Sequence, residues 1–193
     1  MSVDLHRLLA EHAEVVAAMD PLLPVIERVA GRLCNTFAAG GRVYTFGNGG
    51  SAADVQHLAA ELIGRFDRRR RPLPAVSLVT DPSVITCIAN DFDAESVFAR
   101  QVDALARRED VVIGFSTSGQ SPNVVAGLAA GRTSGATTVL FAGGDGGAAA
   151  SYADLVLLVP SRTTARLQEM HLLALHLVSE IVDAWASTEP ASR

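Results

Sequence analysis

The chain has 193 residues, 49% of them apolar, and a formal net charge of −5. That is enough length and enough apolar side chain for one well-buried core, so disorder is excluded as the starting reading. The mild acidity gives no electrostatic reason to expect a nucleic acid or a membrane surface as a partner.

The chain opens Met1-Ser2-Val3-Asp4-Leu5-His6-Arg7, which lacks the cationic-then-apolar order of a secretion signal. No stretch is apolar and uncharged for long enough to span a bilayer, so a cytoplasmic location is expected. The only cysteines are Cys34 and Cys87; both are expected in the core, without a disulfide framework. Leu5, Leu8, Leu9, His12, Val15 and Val16 recur near a 3.6-residue period and predict a helix. Pro21 and Pro24 interrupt it. Val25, Val29 and Leu33 resume it until Gly40-Gly41, making a helical extension over about residues 1–40.

A different pattern then repeats. Val43-Tyr44-Thr45-Phe46 is a short apolar strand running into Gly47-Asn48-Gly49-Gly50-Ser51, and a helical pattern follows to Leu62. The Arg68-Arg69-Arg70-Arg71 run reads as a solvated loop. Ala75-Val76-Ser77-Leu78-Val79 is a second strand. Val111-Val112-Ile113-Gly114-Phe115 is a third, ending in Ser116-Thr117-Ser118-Gly119-Gln120-Ser121 before another helix. Thr138-Val139-Leu140-Phe141 and Leu155-Val156-Leu157-Leu158-Val159 are the fourth and fifth, and a final helix covers about residues 164–186. Near-continuous apolar strands separated by helices predict a parallel sheet buried on both faces. The expected fold class is α/β: a three-layer α/β/α sandwich with a five-stranded parallel sheet. It forms a single domain over residues 1–193, with its α/β core at about 41–186. In such sheets ligands bind beyond the carboxyl ends of the strands, where both polar loops fall.

The loop from Ser116 to Asn123 carries four hydroxyls within six residues and contains no lysine or arginine. Gly119 allows a tight turn, and Pro122 suits the first position of a helix. Hydroxyls and free amides at a helix start fit a phosphate monoester. The absence of Gly-Lys-Ser/Thr argues against a triphosphate-binding P-loop. The first loop has Gly47, Gly49 and then Ala52, and Ala can fill the last place of a dinucleotide fingerprint, so spacing alone leaves that reading open.

His57 and Glu61 lie four apart on one helix face. On the last helix Gln168 and His176 can line one broad face, while His171 lies about 140° from His176 and points elsewhere. A His/Glu pair meeting a Gln/His pair can bind zinc or transfer protons beside a carbonyl. The same spacing serves an exposed helical pair and a core histidine equally well.

Gly47-Asn48-Gly49-Gly50-Ser51-Ala52, His57-Leu58-Ala59-Ala60-Glu61-Leu62, Ala89-Asn90-Asp91-Phe92, the Ser116–Ser121 loop and Thr164-Ala165-Arg166-Leu167-Gln168-Glu169-Met170-His171 together resemble the phosphoheptose isomerase branch of the sugar isomerase (SIS) domain family. The resemblance covers roughly residues 40 to 180. It implies the SIS fold and a homotetramer that isomerises sedoheptulose 7-phosphate. It further implies that Asn48, Gly49, Gly50 and Ser51 contact the open-chain sugar, with Asn90 and Asp91 closing over it. Ser116, Thr117, Ser118 and Ser121 would hold the phosphate. His57, Glu61, Gln168 and His176 would ligate one Zn²⁺ per subunit, with Gln168 and Glu61 also touching substrate and Glu61 and His176 as the proton-transfer pair. Ala165 departs from members that carry Asp there. A related branch binds the bacterial replication initiator and lacks the Glu and the final His; Glu61 and His176 set this chain apart from it.

Overall fold

Five short apolar runs pair into one parallel sheet in the order β2-β1-β3-β4-β5 in the computed structural model, which describes residues 3–188. The strands are β1 (Val43–Gly47), β2 (Ala75–Ser77), β3 (Val111–Ser116), β4 (Thr137–Gly143) and β5 (Leu155–Val159). Seven α-helices accompany them among the described residues: α1 (Leu5–Ala17), α2 (Leu23–Ala38), α3 (Gly50–Ile63), α4 (Pro82–Asp91), α5 (Ser96–Leu105), α6 (Pro122–Thr133) and α7 (Thr164–Thr188). The α/β/α sandwich, its parallel sheet and the helical N-terminal region are those expected from the sequence.

Two-residue alternation along each strand feeds two cores. Val111, Ile113, Phe115, Val139 and Phe141 face α2, α3 and α7. Val112, Leu140 and Ala142 face α5 and α6. Strands β1 and β3 lie side by side, with Val43 opposite Val111 and Gly47 opposite Phe115. The helix after β1 covers one face of the sheet and the helix after β3 covers the other. Their two loops therefore part at the β1/β3 boundary and leave a crevice there.

Three details differ from the expectations. Strand β2 ends at Ser77 rather than Val79, because the Leu78 carbonyl accepts the Gln101 side-chain amide at 3.0 Å instead of continuing the ladder. Cys34 is buried but Cys87 is exposed on α4, where its thiol lies 3.5 Å from Asp91. The arginine run is bound rather than free. Arg68 pairs with Glu180 at 2.7 Å, Arg70 with Asp183 at 2.9 Å, and Arg71 lies over the Trp185 ring. The loop is thereby stapled to α7.

His171 sits inside the core, 0% exposed, edge-on to the Phe115 and Phe141 rings. Neither ring nitrogen makes a hydrogen bond of normal geometry among the described residues. Burial pushes its imidazole from 6.5 down to about 4, and the nearby Ala142 backbone offsets this only slightly. The unfolded chain therefore takes up a proton that the folded chain refuses between those two values. Stability is complete above pH 6.5 and is lost as the pH falls towards 4, by about 3 kcal/mol from this group. Urea unfolding of wild type and His171→Phe at pH 7 and pH 4.5 is expected to show a smaller acid loss in the variant; equal losses would contradict the assignment.

Candidate active site

The crevice at the β1/β3 boundary is built from the two loops. Gly49 has φ +57°, a backbone state that glycine adopts without penalty, and it turns the chain from β1 into α3. Asn48 faces Asn123 on the first turn of α6, and their side-chain amides bond reciprocally at 2.8 and 2.9 Å. This pair bridges the first loop to the second. Ser51 is buried beneath the loop, at 3% exposure.

In the second loop Gly119 has φ +64°, and a Cβ there would stand 1.9 Å from the Gly146 carbonyl oxygen. The Gly119 N–H donates to Ser116 Oγ at 3.1 Å, and the Gln120 N–H donates to Ser118 Oγ at 3.2 Å. The loop is fixed from outside as well, since the Ala149 N–H donates to the Gly119 carbonyl and the Gly143 N–H to that of Thr117. Ser121 begins α6, yet its hydroxyl does not cap the helix; it lies 3.4 Å from Ser116 Oγ. Hydroxyls and a helix start therefore converge on one spot, the arrangement an anion needs. A cavity of ≈ 210 Å³, lined by Thr117, Ser118, Gly143, Ser161 and Thr164 among others, adjoins it.

Helices α3 and α7 run in the same sense on one face of the sheet. Gly50 meets the Gln168 side chain at one end; a Cβ on Gly50 would lie 2.3 Å from Gln168 Nε2. Two turns further along, His57 meets His176, with 3.4 Å between their Nε2 atoms. His57 Nε2 is also 2.9 Å from Glu61 Oε1. Glu61, His57 and His176 thus form one chain of contacts. Phe66 covers its edge, with its ring centroid 5.6 Å from that of His176. Burial lowers the His176 pKa, the neighbouring His57 lowers it further, and Glu61 raises it. Gln168 stands about 12 Å along the axis from His176 and does not join this cluster. Asn90 and Asp91 are exposed at the end of α4 and bond to each other at 2.7 Å. Among the described residues no hydrogen bond or ion pair ties either to the loops.

Sequence reasoning missed two groups. Asn123 stands out only through its partner, 75 residues away. Asp54 is half-buried, with Oδ2 unpartnered among the described residues; burial raises its carboxyl to about 6, and His57 partly opposes that. Its only signal was its spacing of three and seven residues from His57 and Glu61, which puts it on their face of α3.

The donor set suits zinc in kind: two imidazole nitrogens and a carboxylate. Two nitrogens each bound to a tetrahedral zinc stand roughly 3.3–3.4 Å apart, which matches the His57–His176 separation of 3.4 Å. The His57–Glu61 distance is that of a hydrogen bond, and among the described residues no cluster of three acidic, histidine or cysteine side chains stands as a finished metal cage.

The strand order, the crevice and the hydroxyl loop together define a SIS domain, and the model of that family matches residues 9–143. The phosphoheptose isomerase of Roseiflexus sp. (strain RS-1) is 52% identical over 160 residues, covering 83% of this chain and 81% of that protein. That of Paramagnetospirillum magneticum is 47% identical over 184 residues, covering 95% and 96%. The solved phosphoheptose isomerase of Neisseria gonorrhoeae matches with a TM-score of 0.84 at 37% identity, covering 93% of this chain and 98% of that one. This chain belongs to the phosphoheptose isomerase family, and it is an enzyme, an isomerase.

Proposed function

We propose that the chain interconverts sedoheptulose 7-phosphate and D-glycero-D-manno-heptose 7-phosphate through an enediol. The observation that carries this reading is the contact chain of Glu61, His57 and His176 in the α3–α7 groove, in a fold that also carries a hydroxyl-lined anion loop. The phosphate occupies the Ser116–Ser121 loop. Asn48, Gly49, Gly50, Ser51 and Gln168 line the path of the sugar, with Asn90 and Asp91 closing over it. The Glu61 carboxylate takes a proton from carbon 1 of the ketose. The electron pair forms the C1–C2 double bond, and the carbonyl oxygen on carbon 2 receives a proton. In the second half a proton leaves the oxygen on carbon 1 and one is added to carbon 2, which gives the aldehyde with no net change in atoms. Glu61 and His176 carry these transfers between them, and both can exchange protons near neutral pH. Anchoring the phosphate away from the reacting carbons supplies orientation.

His57, Glu61 and His176 are the residues that would hold zinc, and Gln168 enters the set on the family resemblance alone. When bound, zinc supplies Lewis-acid stabilisation of the developing enediolate. Self-association into a homotetramer is supported by α1. It buries no residue of its own and exposes Leu5 and Leu9, at 67% and 68%. Yet it is tethered to α7, with the Arg166 guanidinium donating to the Leu8 carbonyl at 3.0 Å and His12 lying 2.8 Å from Glu169. No helix among the described residues is long and apolar enough to cross a membrane, in keeping with a cytoplasmic enzyme.

The substrate is tested by incubation with sedoheptulose 7-phosphate and, separately, with shorter ketose phosphates, followed by NMR identification of products. An aldoheptose 7-phosphate formed in preference to the shorter products is expected; preferential turnover of a hexulose or pentulose phosphate would reassign the substrate. About one zinc per chain by metal analysis and the mass of four chains by light scattering are the accompanying expectations.

A further inference from the structure

Arg70 and Asp183 each have a side chain only 1% exposed, and each makes several hydrogen bonds. Arg70 Nε donates to Asp183 Oδ1 at 2.9 Å. Its Nη1 donates to the carbonyls of Leu62 and Arg71, both at 2.8 Å, and its Nη2 to the carbonyl of Glu61 at 2.5 Å. Asp183 also accepts the backbone N–H groups of Asp67 at 3.1 Å and Arg68 at 2.6 Å.

A buried ion pair is a poor source of stability compared with packed apolar side chains of the same volume. What this pair supplies is geometry. The last four carbonyls of a helix have no partner within it, and Arg70 takes two of those at the end of α3, that of Glu61 among them. Asp183 lies seven residues beyond His176 on α7, two turns along and on nearly the same face. The loop that Asp183 holds carries Phe66, whose ring lies against His176. One buried pair therefore joins the turn bearing Glu61, the loop bearing Phe66 and the helix bearing His176.

We propose that Arg70 and Asp183 are positioning residues that fix the spacing of Glu61 and His176 across the α3–α7 groove; this rests on the proton-transfer role given to those two groups above. A carboxylate misplaced by an ångström at a proton-transfer site can lose on the order of 10²-fold in rate. The phosphate loop is built on β3 and β4, away from the clamp, so binding should change little.

The test uses the full-length enzyme well below its unfolding temperature. Asp183→Asn removes the charge and one acceptor with little change in shape. Arg70→Lys keeps the charge but loses the planar fork that reaches several carbonyls at once. For each, kcat and KM with sedoheptulose 7-phosphate are measured alone and on a Glu61→Gln background. The expected result is a kcat lower by about 10–100-fold with KM within about threefold of wild type, and little further loss on the Glu61→Gln background. Unchanged kcat in the folded single variants, beside an inactive Glu61→Gln, overturns the proposal while leaving the role of Glu61 intact. An equal loss on both backgrounds marks general disruption and also overturns it. Full activity of Glu61→Gln overturns the underlying role instead. Should neither clamp variant fold, Asp183→Glu keeps the charge and lengthens the side chain by one methylene: a kcat loss of about tenfold at unchanged KM supports the proposal, and wild-type turnover overturns it.

Discussion

Glu61→Gln is expected to lower kcat by about 10²–10⁴-fold, the usual contribution of a general base. The substitution preserves volume and planarity. Glu61 is largely buried in the α3–α7 groove, with its side chain 19% exposed, and among the described residues its one side-chain partner is His57 at 2.9 Å. A glutamine amide can still reach that imidazole, so the helix and the His57–His176 contact should survive. What disappears is the basic oxygen proposed to take the proton from carbon 1. KM should change far less, because the phosphate is proposed to sit in the Ser116–Ser121 loop, apart from the α3–α7 groove. Steady-state kinetics with circular dichroism as a check on folding decide it. Near wild-type turnover in a folded variant would remove Glu61 from the mechanism and assign the base to another group.

Gly119→Ala carries the second large effect, on binding. A Cβ at this position would stand 1.9 Å from the Gly146 carbonyl oxygen and 2.9 Å from the Gly147 nitrogen, and both are backbone atoms. The φ of +64° adds a penalty of its own. The loop must shift, at a stability cost on the order of 3 kcal/mol from the left-handed backbone and the overlap together. The shift pulls Ser116, whose Oγ accepts the Gly119 N–H, and breaks the convergence of hydroxyls on the start of α6. KM for the sugar phosphate should rise at least about tenfold, as a charge-assisted hydrogen bond to an anion contributes about 1.5–3 kcal/mol. Ser121→Ala leaves the backbone untouched and should raise KM by a similar factor with its unfolding midpoint unchanged. If both variants bind substrate as wild type does, the phosphate lies elsewhere.

Much of this was legible in the amino-acid sequence, for identifiable reasons. Strands buried on both faces read as unbroken apolar runs, so Val111–Phe115 and Thr138–Phe141 declare themselves. The two loops declare themselves through glycine and serine, which are poor residues for packing and good ones for approaching a ligand. His171 was expected to point away from His176 by angular offset alone, and it occupies the core. What failed to show was set by distant partners. The Arg68–Arg71 run looks like a solvated loop until Asp183, 113 residues further on, claims Arg70. Strand β2 loses two residues to a side chain on α5. Cys87 lies on the outer face of α4, a helix whose one buried residue is Ile88, and a composition argument does not resolve single positions on a helix. Asp54 has the right spacing for the site, but its raised carboxyl comes from burial in the assembled fold, which no local pattern announces.

The central claim, that this crevice performs an enediol isomerisation, is tested most directly by solvent exchange. Wild-type enzyme and sedoheptulose 7-phosphate are incubated in D₂O, and the sugar is followed by proton and carbon NMR, with Glu61→Gln beside it. Proton transfer through Glu61 predicts an aldoheptose 7-phosphate carrying deuterium at carbon 2, a ketose pool that acquires deuterium at carbon 1 on the return path, and neither signal with Glu61→Gln. Ketose recovered unlabelled and unchanged after prolonged incubation with the folded, metal-loaded wild-type enzyme would contradict it.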